Sequence, residues 1–187
     1  MIDVEQILED TGAIAYGHFS LSNGLHTDTQ IKFAKAVQYT WHVREIASEI
    51  ALKLQRFAPD CITSPMTNGM IVGYEVARTL DIPFIFSERD ANGTMTFSRG
   101  LDPSIFRNIV VVEGVVEDGE SVRELLNTLK RFDSEAIAIF SVIKRNDIKK
   151  IEGLSLLSLT TMPLNLYKPE ECPMCKKGIP IVDIEYS

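Results

Sequence analysis

The chain has 187 residues, 45% hydrophobic and 24% charged, with a formal net charge of -7 at pH 7. These values are ordinary for a globular protein, so we expect one domain with a substantial core and no disorder. The acidic balance argues against a general nucleic-acid binder, and no apolar run approaches the length of a membrane span. The acidic, amphipathic first ten residues do not resemble a signal peptide, so we expect a cytoplasmic protein without nucleic-acid or membrane partners.

The N-terminal region is predicted to form a short helix and a hairpin. Apolar residues recur at helical spacing over residues 3–11. Phe19 and Leu21 then alternate with polar residues, which indicates a strand. Asn23-Gly24 favours a tight turn because this pair readily adopts positive φ, and a second strand would run to about Ile31. The sequence therefore predicts a small antiparallel hairpin ahead of the main domain.

Polar residues on this hairpin fit two interpretations. They are His18, His26, Lys32 and Lys35. They are either exposed surface residues or one wall of a ligand site.

The middle of the chain alternates helix and strand patterns. Helices are predicted over residues 40–57, 69–80 and 121–132, and core strands over 61–64, 83–86, 108–112, 136–143 and 154–160. This alternation predicts an α/β fold with a mainly parallel central sheet flanked by helices.

The stretch 109–121 contains the strongest indication of a ligand site. Four branched apolar residues predict a strand buried on both faces, and Glu113 stands at its end. A short loop with Gly119 follows, and a helix is predicted to begin at Ser121. Such a strand, loop and helix N-terminus commonly hold a phosphate, because backbone N–H groups and the helix dipole point at the loop.

The charges of this loop oppose phosphate binding. Glu117, Asp118 and Glu120 place three carboxylates where an anion would sit. At an effective dielectric of 20 and about 5 Å, each like-charge pair costs roughly 3 kcal/mol. A second interpretation of the same residues, together with Glu113, is a cation site built from carboxylate oxygens.

Two further segments are predicted at the same edge of the sheet. Residues 64–69 form another strand-to-helix loop, whose N–H groups face the carboxyl ends of the strands. Residues 87–100 contain Arg89, a turn and Arg99. These arginines are either ligand-binding cations or surface residues of a solvated hairpin.

The cysteines give no metal assignment from sequence. Cys172 and Cys175 form a Cys-x-x-Cys pair, which supplies two ligands where structural zinc normally has four. Cys61 falls in a predicted core strand, and the histidines are distant in the sequence. We therefore predict no metal site in the chain, with zinc shared between two chains and a redox role as the alternatives.

Taken together, these segments resemble the orotate phosphoribosyltransferases, within the type I phosphoribosyltransferases. The resemblance covers about residues 17–178 and is carried by segment 17–26, helix 69–80, the strand order and the Cys-Pro-x-Cys tail. It implies one domain, with a hood from about 1–38 and 160–187 and a core over 39–159. It also implies a homodimer, Mg²⁺ as cofactor, and transfer of phosphoribosyl from phosphoribosyl diphosphate (PRPP) to orotate, giving orotidine 5′-phosphate and pyrophosphate.

The resemblance implies roles for particular residues. It assigns Arg89, Arg99 and Glu113 to catalysis. It assigns the PRPP loop to Glu113, Gly114, Val115, Val116, Glu117, Asp118, Gly119, Glu120 and Ser121. It assigns the pyrophosphate loop to Pro65, Met66, Thr67, Asn68 and Gly69. It assigns base binding to Phe19, Leu21, Asn23, Gly24, Lys32 and Arg145.

Several positions depart from the family pattern. Gly114 replaces a second acidic residue, Glu117 and Asp118 replace two threonines, Glu120 replaces a glycine, and Ser98 replaces a cation. All of these changes fall in the phosphate and pyrophosphate machinery. The hypothesis is therefore a family member with weakened or lost PRPP binding and catalysis. The alternative is a non-catalytic paralogue that binds another small ligand or regulates an active partner.

Overall fold

The structure is a computed structural model that describes residues 2–21, 24–145, 148–163 and 165–183. Asn23, one of the predicted base-binding residues, lies outside the described residues, as does Leu164. Across the described ranges, none of the helices combines the length and apolar character that crossing a membrane requires.

The elements follow one another as a hairpin region, an alternating α/β core and a C-terminal tail. The helices are α1 Val4–Asp10, α2 Ala34–Val37, α3 Thr40–Leu54, α4 Asn68–Leu80, α5 Glu120–Arg131 and α6 Pro173–Lys176. The strands are β1 Ile14–Ser20, β2 His26–Ile31, β3 Cys61–Pro65, β4 Phe84–Arg89, β5 Met95–Thr96, β6 Ile109–Val116, β7 Ala136–Arg145, β8 Lys150–Ile151, β9 Leu154–Met162 and β10 Val182–Asp183. Short 3₁₀ turns cover Gln55–Phe57 and Pro103–Ile105.

Seven strands form the central sheet in the order β5-β4-β3-β6-β7-β9-β8. The five inner strands are parallel, and the short edge strands β5 and β8 pair antiparallel. The predicted α/β class with a mainly parallel sheet is confirmed. The carboxyl ends of β3, β6 and β7 therefore meet at one edge, which is where open α/β sheets bind ligands.

A separate three-stranded sheet forms the hood in the order β10-β1-β2. β1 and β2 are antiparallel, which confirms the predicted hairpin, and a register shift between Tyr16 and Phe19 interrupts their pairing. β10 adds to the other side of β1 in parallel. The hood thus combines the start of the chain with residues more than 150 positions later.

Two hydrophobic cores cover the two faces of the central sheet. One is built from α1, α2, α3 and α4 and includes the fully buried Leu8, Ile46 and Val72. The other is built around α5, whose Leu125 and Leu129 are completely buried against the opposite face. Because α1 and α2 belong to the first core, the segment before residue 38 packs as part of the main domain as well as of the hood.

β6 extends further than the sequence predicted, and this shortens the phosphate loop. The prediction ended the strand at Val112 and assigned residues 113–121 to the loop. Instead, Val115 pairs with Ile143 and Val116 with Lys144 of β7. Branched side chains favour this extended pairing, so the segment between β6 and α5 contains only residues 117–119. β9 likewise runs to Met162, two residues beyond the predicted end of that strand at 160.

Candidate functional site

A cleft of about 500 Å³ opens where β6 leads into α5. Its lining residues are Ile31, Phe33, Glu113, Val115, Val116, Glu117, Asp118, Gly119, Glu120, Ser121 and Val122. All predicted phosphate-loop residues except Gly114 line it directly, and Gly114 lies beneath Phe33. The predicted loop is therefore at a concave surface, at the ligand-binding edge of the sheet.

Gly119 sets the geometry between strand and helix. Its φ is 80°, and a Cβ there would lie 2.8 Å from Cδ1 of Ile151. Only glycine satisfies both constraints without strain. This residue brings the first turn of α5 to the mouth of the cleft.

The carboxylate of Asp118 already accepts a hydrogen bond from the first turn of α5. The backbone N–H of Glu120 donates to Oδ1 of Asp118 at 2.9 Å. The side chain of Arg123 donates to the Asp118 carbonyl at 2.6 Å, which holds the turn from the other side. A free phosphate would use the same helix N-terminal N–H group. Asp118 therefore competes with an external anion for one of its natural donors.

The loop carboxylates are exposed, which weakens their effect. Glu117, Asp118 and Glu120 all reach solvent, so the dielectric around them is closer to that of water. There a charge pair at 4 Å is worth about 1 kcal/mol, less than the sequence argument assumed. Partial desolvation raises the pKa of Glu117, and the nearby Arg145 guanidinium opposes that rise.

Glu113 is buried at the base of the cleft. Its Oε1 accepts a hydrogen bond of 2.8 Å from the backbone N–H of Gly114. Burial raises its pKa to about 7, and the bond from Gly114 lowers the pKa by a smaller amount. A Cβ on Gly69 would lie 2.6 Å from the same oxygen. Glu113 therefore joins the phosphate strand to the start of α4, where the predicted pyrophosphate loop ends.

Phe33 fills the space beside Gly114. A Cβ on Gly114 would lie 2.6 Å from Cε1 and 2.7 Å from Cδ1 of the Phe33 ring. Phe33 is only 2% exposed and packs in the larger core. The second acidic side chain expected at position 114 does not fit while the ring is in place. The sequence analysis did not identify Phe33 as a site residue.

The pyrophosphate loop leaves a helix N-terminus without a side-chain cap. Pro65 ends β3, and Met66 donates its N–H to the carbonyl of Ser87 at 3.1 Å. The Met66–Thr67 peptide is cis. Thr67 stands at the N-cap position of α4 and makes no side-chain hydrogen bond to the helix. The first-turn N–H groups of α4 thus suit an anion better than those of α5 do.

Both predicted catalytic arginines form ion pairs within the chain. Arg89 makes a bidentate pair with Glu124 of α5, at 2.8 and 2.5 Å. Arg99 makes two bonds of 3.0 Å to the carboxylate of Glu88. These partners lower the pKa of Glu88 and raise the pKa of each arginine. In this conformation Arg89 ends β4 and Arg99 follows β5, and both guanidinium groups are exposed and paired within the chain.

The predicted base-binding residues of the hairpin that the structure describes differ in burial and do not line the cleft. Phe19 is buried, and Leu21 and Lys32 are half-buried. Gly24 adopts φ 79°. Among the described residues of this region, however, those that line the cleft are Ile31, at the end of the hairpin, and Phe33, just after it. Sequence alternation indicated a wall at this hairpin but not which residues face the cleft.

Arg145 is the most unusual of these residues. It ends β7 and is 1% exposed, and its Nε and Nη1 have no hydrogen-bond partner among the described residues. Burial lowers its pKa, while Glu117 and Asp28 act in the opposite direction. Unpartnered donors on a buried guanidinium are costly unless an anion completes them. Its planar donor set matches a carboxylate or phosphate.

His18 and His26 lie away from the cleft. Both are buried, and their rings contact each other. His18 also contacts the sulfurs of Cys172 and Cys175, and His26 contacts the sulfur of Cys175. From sequence alone the histidines were predicted to be too distant to join the cysteines, and this prediction is wrong because the hairpin and the tail pack together.

The buried residues of the cleft are poor ligands for the Mg²⁺ that the resemblance implies as a cofactor. Of two adjacent carboxylates, only Glu113 remains, and it is buried with a pKa near the neutral range. The other carboxylates of the cleft are on the exposed loop. Magnesium favours ionised oxygen ligands in octahedral geometry, and this pair of positions does not supply them.

Comparison with known proteins agrees with this architecture. Residues 35–152 match the family described as the phosphoribosyl transferase domain. The crystal structure of orotate phosphoribosyltransferase from Aeropyrum pernix superimposes with a TM-score of 0.69 at 16% identity, covering 86% of this chain and 94% of that chain. The fold is therefore that of the type I phosphoribosyltransferases.

Curated relatives narrow the assignment. Orotate phosphoribosyltransferase of Thermoanaerobacter sp. (strain X514) is 36% identical over 180 residues, covering 96% of this chain and 94% of the relative. The protein of that name from Thermotoga maritima is 35% identical over 177 residues, covering 95% and 94%. The chain belongs to the orotate phosphoribosyltransferase family.

Proposed function

We propose that this protein is an orotate phosphoribosyltransferase-family member, related to pyrimidine nucleotide biosynthesis, in which PRPP binding and phosphoribosyl transfer are weakened or lost. The observation that carries the proposal is the contact between Phe33 and Gly114. A single replaced residue could be compensated by a neighbour. Here the space for the missing carboxylate is filled by a core aromatic ring, so the pocket is repacked as well as changed in charge.

Two further observations support weakened PRPP binding. The N–H of Glu120 is engaged by Asp118, which removes a donor from the 5′-phosphate site. Arg89 and Arg99 are paired with carboxylates, so covering PRPP would first require those pairs to break. Each exposed pair is worth only about 0–1 kcal/mol, so the arginines alone do not decide the outcome. These ion pairs, the Asp118 hydrogen bond and the Phe33 ring beside Gly114 together account for the weakened PRPP binding that we propose.

Binding of orotate or a nucleotide is better supported than binding of PRPP. Arg145 presents buried, unpartnered guanidinium donors beside Glu117, at the margin of the cleft. A planar carboxylate such as that of orotate, or the phosphate of a nucleotide, would complete these donors. This favours the alternative of a non-catalytic paralogue that keeps an anionic pyrimidine or nucleotide ligand.

Calorimetric titration of the purified protein separates these cases. We expect orotate to bind and PRPP with Mg²⁺ to bind at least tenfold more weakly than orotate. We also expect no measurable loss of orotate when both substrates are mixed with the protein. Micromolar binding of both PRPP and orotidine 5′-phosphate, with turnover, would overturn the proposal and indicate an active enzyme.

A restoration variant tests the physical cause. It combines Phe33→Ala and Gly114→Asp with Glu117→Thr, Asp118→Thr and Glu120→Gly. We expect at least a tenfold gain in PRPP affinity over the parent chain. The matched control carries Phe33→Ala alone, which makes room without changing charge, and we expect no gain from it. A folded restoration variant without improved binding would contradict the assignment of the defect to this pocket.

We also propose that the protein is a cytoplasmic homodimer. Trp41, Ile71 and Tyr74 are exposed by 52, 39 and 58% on neighbouring faces of α3 and α4. They border one groove together with Val37 and Val43, and the remaining lining of this groove is polar: Thr40, Arg44, Glu75 and Arg78. Apolar groups that are clustered in this way indicate an interaction surface, and a second copy of the chain is the partner that the family resemblance suggests.

A further inference from the structure

Four side chains with metal-binding atoms converge outside the cleft. His18 comes from β1, His26 from β2, and Cys172 and Cys175 from the tail around α6. One ligand atom from each lies within 4.8 Å of the others. His18 and Cys172 are 154 positions apart in sequence, so the cluster exists only because the hood brings both ends of the chain together.

Four distances within the cluster lie within about 0.4 Å of those of a tetrahedral zinc site. Nε2 of His18 is 2.9 Å from Nδ1 of His26. The Sγ atoms of Cys172 and Cys175 are 3.5 and 3.6 Å from Nε2 of His18, and the Cys175 Sγ is 3.3 Å from Nδ1 of His26. A zinc ion with ordinary bond lengths would set nitrogen–nitrogen and nitrogen–sulfur separations of about 3.3 and 3.6 Å.

The outer contacts orient His18 for coordination. Its Nδ1 lies 2.8 Å from the carbonyl of Ile179. Because a carbonyl only accepts, Nδ1 carries the proton, and the lone pair of Nε2 faces the two sulfurs. Gly178, with φ 65°, turns the tail back to supply this carbonyl. Such a carbonyl behind a ligating histidine is the usual support of a metal site.

We propose that His18, His26, Cys172 and Cys175 bind one zinc ion in a closed, structural Cys₂His₂ site. Two thiolates with two imidazoles are a donor set that zinc favours. Four protein ligands leave no open position for water or substrate, so the ion serves the fold and not the transfer reaction. On binding, each thiol releases its proton to solvent. This inference is independent of whether the cleft binds PRPP.

The site would anchor the hood. His18 and Cys172 are fully buried and His26 is 5% exposed, so the ion lies inside the structure with only Cys175 partly open to solvent. It would connect the hairpin to α6, next to β10. A cross-link between positions so distant restricts the unfolded chain strongly.

The first test is the metal content of the full chain, purified without a polyhistidine tag. We expect elemental analysis to find about one zinc per chain. Replacement of zinc by Co²⁺ should give the intense visible bands of a tetrahedral ion and a thiolate charge-transfer band. Removal of the metal by a chelator should lower the melting temperature by at least about 5 °C, and added zinc should reverse the loss.

Matched variants locate the ion. Cys175→Ser and His26→Gln should each lose most of the zinc. Cys61→Ser and His42→Gln change the same residue types outside the cluster and should keep it. Cys175 is partly exposed, so its variant is the one expected to fold. If a site variant does not fold, the chelation and readdition experiment on the parent chain decides.

Three results would overturn the proposal. One is a folded parent chain without bound metal that gains no stability from added zinc. A second is a disulfide between Cys172 and Cys175 in protein kept under reducing conditions. The third is zinc that remains in folded Cys175→Ser and leaves with Cys61→Ser.

Discussion

The ring of Phe33 lies directly against the backbone of Gly114, so close that a methyl group at position 114 would come within 2.6 Å of Cε1. Phe33 follows the hood hairpin, and Gly114 lies in the strand that leads to the phosphate loop. One contact therefore joins the hood, the core and the candidate ligand site. The identities of the two residues depend on each other, which a double-mutant cycle can measure.

Gly114→Ala alone is expected to destabilise the protein by about 1–3 kcal/mol, because a buried ring must move to admit the methyl group. Phe33→Ala alone should lose about 3–5 kcal/mol through the cavity it creates. Combined, the two changes should cost at least about 1 kcal/mol less than their sum, since the new methyl occupies part of the cavity. Urea unfolding of the four proteins gives these free energies.

A control for the cycle pairs Phe33→Ala with Gly73→Ala. Gly73 is also in close contact, with a Cβ there 2.9 Å from Cε2 of Phe84, but it does not contact Phe33. The losses in free energy of unfolding from Phe33→Ala and Gly73→Ala should therefore be additive. If the Phe33 and Gly114 changes also add, the contact does not constrain position 114.

The stability of the protein should fall with rising pH because of Glu113. Its pKa in the folded state is about 7, against 4.5 ordinarily. Between these values the unfolded chain has released the proton while the folded protein retains it. Stability from this group is therefore fully present below pH 4.5 and lost as pH rises to 7, a difference of about 3 kcal/mol. Glu113→Gln should remove this part of the pH dependence and exceed the parent chain in stability at pH 8.

Urea unfolding at pH 5 and pH 8 measures this effect. Glu9→Gln makes the same chemical change on the exposed face of α1 and should leave the difference between the two pH values as it is in the parent chain. Equal pH dependence in Glu113→Gln and the parent would show that burial of this carboxyl is not the cause.

Arg145→Met should separate stability from ligand binding. The substitution removes a buried cation whose Nε and Nη1 lack partners within the described part of the chain, so the free energy of unfolding should stay the same or rise by up to about 3 kcal/mol. Orotate affinity should fall at least tenfold, because its carboxylate loses a charge-assisted hydrogen-bond donor. Calorimetry and urea unfolding of one preparation give both quantities.

Lys144→Met is the matched control for Arg145→Met. Lys144 is the preceding residue of β7, and its Nζ donates to the carbonyl of Ile148 at 3.3 Å. We expect orotate affinity to be unchanged in Lys144→Met. Arg145→Met that still binds orotate at the parent affinity would exclude Arg145 from the ligand site.

The proposed homodimer predicts that Tyr74→Glu yields a monomer. Tyr74 is 58% exposed on α4 and packs edge-on against Phe84, and Tyr74→Glu would replace this aromatic surface by a charge that loses its hydration when a second copy covers it. Analytical ultracentrifugation measures the change in mass. Tyr16→Glu alters an even more exposed tyrosine on β1 and should leave the mass of the parent assembly unchanged.

Local patterns in the sequence were enough for most of the fold. The branched run before Glu113 predicted a buried strand, and the period of residues 40–57 predicted α3, because both depend on side chains near in sequence. The extent of β6 was underestimated, since Val115 and Val116 are held by pairing to β7 and no local pattern encodes that partner.

The site was predicted less completely because it depends on distant contacts. The loop carboxylates were visible in the sequence, but their exposure was not, and it reduces their electrostatic effect. Phe33 was missed because nothing near it in sequence connects it with Gly114. His18 and His26 were separated from the cysteines for the same reason, although the spacing of Cys172 and Cys175 was the signal that could have prompted a search for two more ligands.

The pairing of β10 with β1 has a consequence for synthesis of the protein. Phe19 is partnered by Val182, which the ribosome makes about 160 residues later, roughly ten to thirty seconds at ordinary elongation rates. During that interval the nascent chain can complete the parallel core, but one edge of β1 stays unpaired. An open edge of this kind readily accepts a strand from a neighbouring chain. Crowding of nascent chains on one messenger would therefore favour exchange of this tail between copies, and slow translation of the last segment would increase it.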